Sequence, residues 1–168
     1  MQADSLTIRQ ATVDDAPAIT EVLSIISAER IHSAIDRVWT ISEEKRYLES
    51  LSPRETIHVA VHPAGQIVGF QSLDLWTPSL TSMAHVGQVG TFLLPEWRGR
   101  GVGRALWRAT EAFARDAAYR KLAIQVRASN THAQSFYRRL GFQLCGRLTR
   151  QVLIDGMEDD ELLMELFL

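Results

Sequence analysis

The chain has 168 residues, with 18 Lys and Arg against 20 Asp and Glu and a net charge of −2, enough mass for one domain with a proper core. No basic stripe stands out, so nucleic-acid binding gains no support, and no apolar run approaches the length of a bilayer span. Residues 1–6 include Asp4 and no apolar stretch, so no leader is read there, and the lone Cys145 excludes an internal disulfide and fits a reducing cytoplasm.

Leu6, Ile8 and Gln10 alternate with Thr7 and Arg9, so 6–11 reads as a first strand. Thr12 with Asp15 makes a capping box, and Pro17 suits the first turn of the helix that follows. Ile19, Val22, Leu23 and Ile26 give that helix an apolar face. From 29 to 40 the pattern is weak, although the stretch carries Arg30, His32, Asp36, Arg37 and Trp39. Residues 42–48 read as a second helix, ended by Pro53. Residues 56–61 and 67–76 form a hairpin about the turn at 62–66, and 77–84 is a polar loop.

Next comes the stretch that carries the chemistry. Val89 to Leu94 reads as a buried strand that Pro95 must end. Gly87 and Gly90 suggest a bulge or a close backbone approach; a bulge would splay this strand from its neighbour and open a slot for an extended ligand. A helix follows from Gly103, with Leu106, Thr110, Phe113 and Ala117 on one face. Between strand and helix lie Arg98, Gly99, Arg100, Gly101, Val102, Gly103 and Arg104. The first N–H groups of a helix lack internal partners and sit at the positive end of its dipole. Glycines let an anion approach that backbone, and the arginines add charge, so the loop reads as a pyrophosphate site. It lacks the Gly-Lys-Ser/Thr of a P-loop. Leu106 stands where a dinucleotide fingerprint needs Gly or Ala, and 121–126 has no acidic residue for a ribose.

Beyond the loop, 121–126 is a strand, and Asn130 caps a short helix with the stripe Ala133, Phe136, Tyr137 and Leu140, closed by Gly141. Residues 142–154 are mostly strand, with Cys145 a small apolar residue on it. Asp155-Gly156 is a turn, and 161–168 returns as the last strand. The order predicts an α/β chain, a mixed sheet of about seven strands with about four helices on both faces. No linker or repeat divides 1–168, and no metal site is expected.

The pattern Arg98-x-x-Gly101-x-Gly103 after a strand resembles the acyl-CoA loop of the GNAT superfamily of N-acetyltransferases. Leu6 to Asp15 is similar to that family's opening strand and helix, and Asn130-x-x-Ala133-x-x-Phe136-Tyr137-x-x-x-Gly141-Phe142 to its second acetyl-CoA segment. Val152 to Gly156 and Asp160-x-x-x-Met164 resemble the closing hairpin of its small-molecule and amino-acid acetylating branches. The resemblance covers nearly the whole chain and implies acetyl-CoA as co-substrate and an amine as acceptor. It implies that Thr91, Phe92 and Leu93 pair with the pantetheine amides. Gly99 to Arg104 would hold the pyrophosphate, Asn130 and Ala133 would meet the cofactor near its reacting end, and Tyr137 would protonate the departing thiolate. Members form dimers in many cases, and the sequence leaves that open.

Many members carry a glutamate as base on the central strand or just before the motif asparagine. Here those strands offer Gln88 and Gln125, which take no proton. His85, Glu96, Asp74, Glu29, His32 or a water held by Gln88 remain, His85 being nearest the central strand. The acceptor pocket is expected from 29–39, 76–84 and 146–156, with Trp39 and Trp76 as walls and Arg30 or Arg37 for an acceptor carboxylate. An acetyltransferase for a small amine such as an amino acid, one for a protein N-terminus or lysine, and a non-catalytic acyl-CoA-binding module are the three readings.

Overall fold

The computed structural model describes residues 6–168; residues 1–5, the stretch bearing on a leader, lie outside the described residues. The first half runs β1 (Thr7–Gln10), α1 (Ala16–Ala28), α2 (Ile41–Ser50), β2 (Thr56–Val61), β3 (Ile67–Leu75) and β4 (Val86–Leu93). The second runs α3 (Val102–Asp116), β5 (Lys121–Arg127), α4 (Thr131–Arg139), β6 (Gln143–Ile154) and β7 (Met157–Phe167). The seven strands form one sheet in the order β1-β2-β3-β4-β5-β7-β6. Every neighbouring pair is antiparallel except β4 and β5.

The apolar periodicities explain the layering. Ile19, Val22 and Ile26 of α1 and Leu48 of α2 bury against Ile57, Val59 and Phe70. Trp107 and Ala114 of α3 and Tyr137 of α4 bury against Val89, Leu122, Ile124 and Met164. Each aliphatic side chain so buried contributes about 1.5–3 kcal/mol. Thr12 and Asp15 form the expected box (Thr12 N–H to Oδ2, 2.7 Å), and Arg9 clamps the same carboxylate at 2.7 Å. The second helix starts earlier than 42–48 suggests, because Thr40 accepts from Glu43 N–H at 3.2 Å and caps it. The first turn of α3 begins at Val102, since Gly101 at φ +84° already closes the loop. The last strand begins at Met157, pairing straight out of the turn.

The central strand carries no bulge against β3: their ladder is continuous from Gly69 opposite Leu93 to Leu75 opposite Gly87. Gly87 serves instead a close approach, since a Cβ there would meet Leu73 at 2.7 Å and Leu122 at 2.9 Å. The slot arises on the other side. β4 pairs with β5 only over Val86, Gly87 and Gln88, and from Val89 onward the two strands part. Cys145 lies exposed on β6 rather than packed, because that edge strand is irregular between Leu144 and Gly146. Among the described residues no helix is long and apolar enough to cross a membrane.

Candidate active site

Where β4 and β5 part, a cavity of about 890 Å³ opens between the second half of β4, the glycine loop and α4. Gly99 and Gly101 hold φ of +69° and +84°, which lets the loop double back onto the first turn of α3. The ring of Phe136 closes over Gly103, where a Cβ would sit 3.1 Å from it. Ala105 N–H is the first amide of this region to be taken up, by Gly101 C=O at 3.0 Å. Among the described residues, the N–H groups of 99–104 have no hydrogen-bond partner. Free amides at a helix N-terminus suit an anion, and Gly99, Gly101, Gly103 and Arg104 stand on the cavity wall. Val102 can offer only backbone there, since its side chain is buried.

The other two arginines are committed elsewhere. Arg98 lines the cavity, but its guanidinium grips Glu29 at 2.9 and 2.5 Å and Leu93 C=O at 3.1 Å. Arg100 lies over the ring of Trp97, 5.8 Å from its centre.

Thr91, Phe92, Leu93, Asn130, Ala133 and Tyr137 all line the same cavity. Tyr137 is 6% exposed, and its hydroxyl bonds Thr91 Oγ1 at 2.7 Å. The buried amide of Gln71 donates to that same Thr91 oxygen at 2.7 Å. Burial pushes the Tyr137 phenol up to about 12, with the Thr91 bond pulling the other way. It therefore keeps its proton at neutral pH. Reference values of about 10 for a phenol and about 8.5 for a thiol set proton transfer to a thiolate uphill, and burial of Tyr137 steepens it. A thiolate formed in the same dry cleft is raised too, which narrows the gap. Asn130 is both cap and brace: Oδ1 accepts from Ala133 N–H and Nδ2 donates to His32 C=O, each at 3.0 Å.

Beside this cavity lies a second chamber of about 300 Å³ under the irregular 32–40 stretch. Trp39, Tyr47, Ile35, Ser72 and Phe92 wall both spaces. Of the three segments expected here, the 29–39 region delivers; Trp76, the 77–84 loop and 146–156 line neither space. The arginines suggested for a carboxylate are occupied, Arg30 by Asp155 (2.7 Å) and Arg37 by Glu43 (2.7 Å).

The suggested bases divide sharply. His85 is exposed at the far end of β4, its carbonyl bound to the start of β5, and it lines neither space. Glu96 is exposed and also outside. Glu29 is held by Arg98, whose hydrogen bonds and charge keep its carboxyl below the usual range. His32 lines the cavity with its imidazole pushed down by burial. Asp74 lines the cavity directly opposite Gln88 on the neighbouring strand. Gln88 itself donates to Gln125 across the gap between β4 and β5 at 2.8 Å, and Gln125 donates to Glu161 at 3.1 Å.

Sequence reasoning passed over Glu44, Tyr47 and Glu161. Glu44 had a readable signal: it stands four residues before Leu48, on the buried face of α2. Burial and the nearby Asp74 charge hold its carboxyl up to about 7.

The acetyltransferase (GNAT) family matches residues 21–142. The chain belongs to that family. It is an acyl-CoA-dependent acetyltransferase with acetyl-CoA as co-substrate. The chain is 32% identical over 149 residues to the aminoglycoside N(6')-acetyltransferase type 1 of Stenotrophomonas maltophilia, covering 85% of this chain and 90% of that protein. Among solved structures it resembles a ribosomal-protein-alanine N-acetyltransferase from Brucella melitensis (TM-score 0.89, 25% identity, 97% and 100% of the two chains). It also shares its fold with a GNAT superfamily phosphinothricin acetyltransferase from Sinorhizobium meliloti in complex with acetyl-CoA (TM-score 0.90, 20% identity, 98% and 89% covered). The parted β4 and β5 and the unpartnered amides of the loop suit an extended thioester whose arm leads to a pyrophosphate.

Proposed function

We propose that the chain forms one acetyltransferase domain that moves the acetyl group of acetyl-CoA to the primary amine of a small molecule. Acetyl-CoA lies along the cleft with its pantetheine arm beside Thr91, Phe92 and Leu93, whose backbone groups face the gap left by β5. The pyrophosphate rests on the amides of 99–104, with Arg104 nearby and Arg98 bracing the loop through Glu29. Asn130 and Ala133 close the cleft at the reacting end. The amine attacks the thioester carbon directly. Holding the two substrates together converts the encounter into an effectively unimolecular step.

The observation that carries this reading is the placement of Tyr137. Its protonated hydroxyl, oriented by Thr91, stands in the same cavity as the loop amides. As the C–S bond breaks, Tyr137 donates a hydrogen bond to the sulfur and then its proton. The chamber of about 300 Å³ supports a small acceptor over a protein N-terminus or lysine, since it sits at the lower end of small-ligand pockets.

The test is release of CoA thiol from acetyl-CoA against amino acids, simple amines, aminoglycosides and short peptides. Turnover with small amines, and a kcat at least tenfold lower for Tyr137→Phe at unchanged acetyl-CoA affinity, is expected. Turnover of peptides alone would replace the acceptor class. Full activity of Tyr137→Phe would remove its role, and acetyl-CoA binding without any transfer would leave a binding module.

A further inference from the structure

We propose that the acceptor is a primary amine on an apolar body: the body fills the chamber of about 300 Å³, Glu44 faces the ammonium, and Asp74 takes its proton. This rests on the acetyl-transfer reading above and names the acceptor and the base within it.

The chamber's lining states the chemistry of its occupant. Leu23, Val38, Ile57, Phe70 and Phe92 supply aliphatic and aromatic walls. Into this setting α2 places Glu44, which is 2% exposed. Among the described residues its carboxylate has neither a hydrogen-bond donor nor a cation beside it. The one cationic group on the wall, Arg37, is already paired with Glu43. An unpaired buried carboxylate is costly, and a cationic ligand would offset that cost. A polyhydroxylated acceptor would leave its hydroxyls unmatched against such walls. Among the described residues lining the chamber, an acceptor carboxylate would meet Glu44 with like charge and only the already paired Arg37.

Asp74 stands on the cofactor side of the same wall. It lies opposite Gln88 in the β3–β4 ladder, so a carboxylate one strand over occupies the neighbourhood where Gln88 can take no proton. Tyr47, which walls both spaces, donates its hydroxyl to Asp74. The other group facing this cluster, Glu55, is held by the N–H groups of Leu75 (3.0 Å) and Ser52 (3.1 Å). Burial raises the Asp74 carboxyl while the Tyr47 hydrogen bond pulls it down, which suits a base that must collect and shed a proton.

Two protons leave the nitrogen. The first passes from the ammonium to Asp74 and then to solvent. The free amine forms the C–N bond to the thioester carbon, the C–S bond breaks, and the sulfur takes the proton of Tyr137. The second nitrogen proton is lost as the amide forms, and Tyr137 is reprotonated from solvent. The products are the N-acetyl amine and CoA thiol.

The experiment compares 2-phenylethylamine and cyclohexylmethylamine with kanamycin, alanine and a short peptide, in the intact protein and in Asp74→Asn, Glu44→Gln and Val38→Phe. Melting temperature with and without acetyl-CoA checks each variant's fold and its co-substrate site. The expected result is kcat/KM at least tenfold higher for the apolar amines than for the others. Asp74→Asn should lose at least 100-fold in kcat, together with the acid limb of the pH profile. Glu44→Gln should raise KM about tenfold with a smaller change in kcat. Val38→Phe, which narrows the chamber, should exclude 2-phenylethylamine while sparing propylamine. Fluorescence of Trp39 on the chamber wall should report amine binding without turnover. Preferred turnover of kanamycin, alanine or the peptide, or an undiminished kcat in Asp74→Asn with its pH limb intact, overturns the inference while leaving acetyl transfer standing. No transfer to any amine overturns both.

Discussion

Arg98 and Glu29 are joined by a two-point fork at 2.9 and 2.5 Å, which ties the head of the glycine loop to the end of α1. Each side chain is 22% exposed, so the pair is sheltered enough to matter more than a surface ion pair. Arg98→Ala is expected to cost about 2 kcal/mol in urea unfolding. A cycle with Glu29→Gln should show a coupling of about 1 kcal/mol. A free Arg98 on the pyrophosphate would predict tighter acetyl-CoA binding once Glu29→Gln releases it; a brace predicts no tightening. Calorimetry of acetyl-CoA binding to Glu29→Gln separates the two.

Gly101 and Gly65 both hold positive φ, +84° in the anion loop and +91° in the β2–β3 turn. Placing Ala at either position should cost about 1 kcal/mol from backbone strain alone. Only Gly101→Ala should also weaken acetyl-CoA binding, by about tenfold, because it disturbs the cradle of free amides. Gly65→Ala is the control, with nothing within 4 Å of the added Cβ. Equal acetyl-CoA affinities in the two variants would show that the loop backbone holds no phosphate.

Strand and helix periodicity, the glycine loop and the Asn130–Tyr137 segment were legible because each is local: a few residues at fixed spacing decide it. The acceptor side was not. The 29–40 stretch has no periodicity to read, and its position over α2 and β3 depends on long-range bonds such as Arg127 to Arg30 C=O (2.9 Å) and Asn130 to His32 C=O (3.0 Å). His85 looked well placed because it immediately precedes β4. Strand direction puts it at the end where β4 and β5 are still paired, away from the cleft. Asp74 is 14 positions from Gln88 along the chain yet directly opposite it in the ladder, a relationship that exists only once the register is known.

His58 on β2 is 6% exposed, bonded through Nδ1 to Thr110 at 3.1 Å, with the edge of Phe113 nearby. Burial lowers its folded-state pKa below the reference of 6.5. Between the lowered value and 6.5 the unfolded chain holds more protons, so stability falls as pH drops below about 6.5. Urea midpoints between pH 5 and 8 should show this slope, and His58→Gln should flatten it. An unchanged slope in the variant would assign it to other groups.

Glu44 has the opposite sign. Its folded pKa of about 7 lies above the ordinary 4.5, so between those values the folded chain holds a proton that the unfolded one lacks. Stability contributed by the protonated form is therefore lost as pH rises from about 4.5 to 7, a cost of about 3 kcal/mol when complete. Glu44→Gln removes the ionisation, so the variant should gain about 2 kcal/mol over the parent at pH 8 and little at pH 4.5, read from urea unfolding. A buried residue kept for packing loses stability when replaced; one kept for a ligand gains it and loses turnover instead. A Glu44→Gln variant that is more stable at pH 8 yet poorer in KM for its amine would mark this carboxylate as a binding group. A variant that is less stable at both pH values would assign Glu44 to the packing of α2 on the sheet.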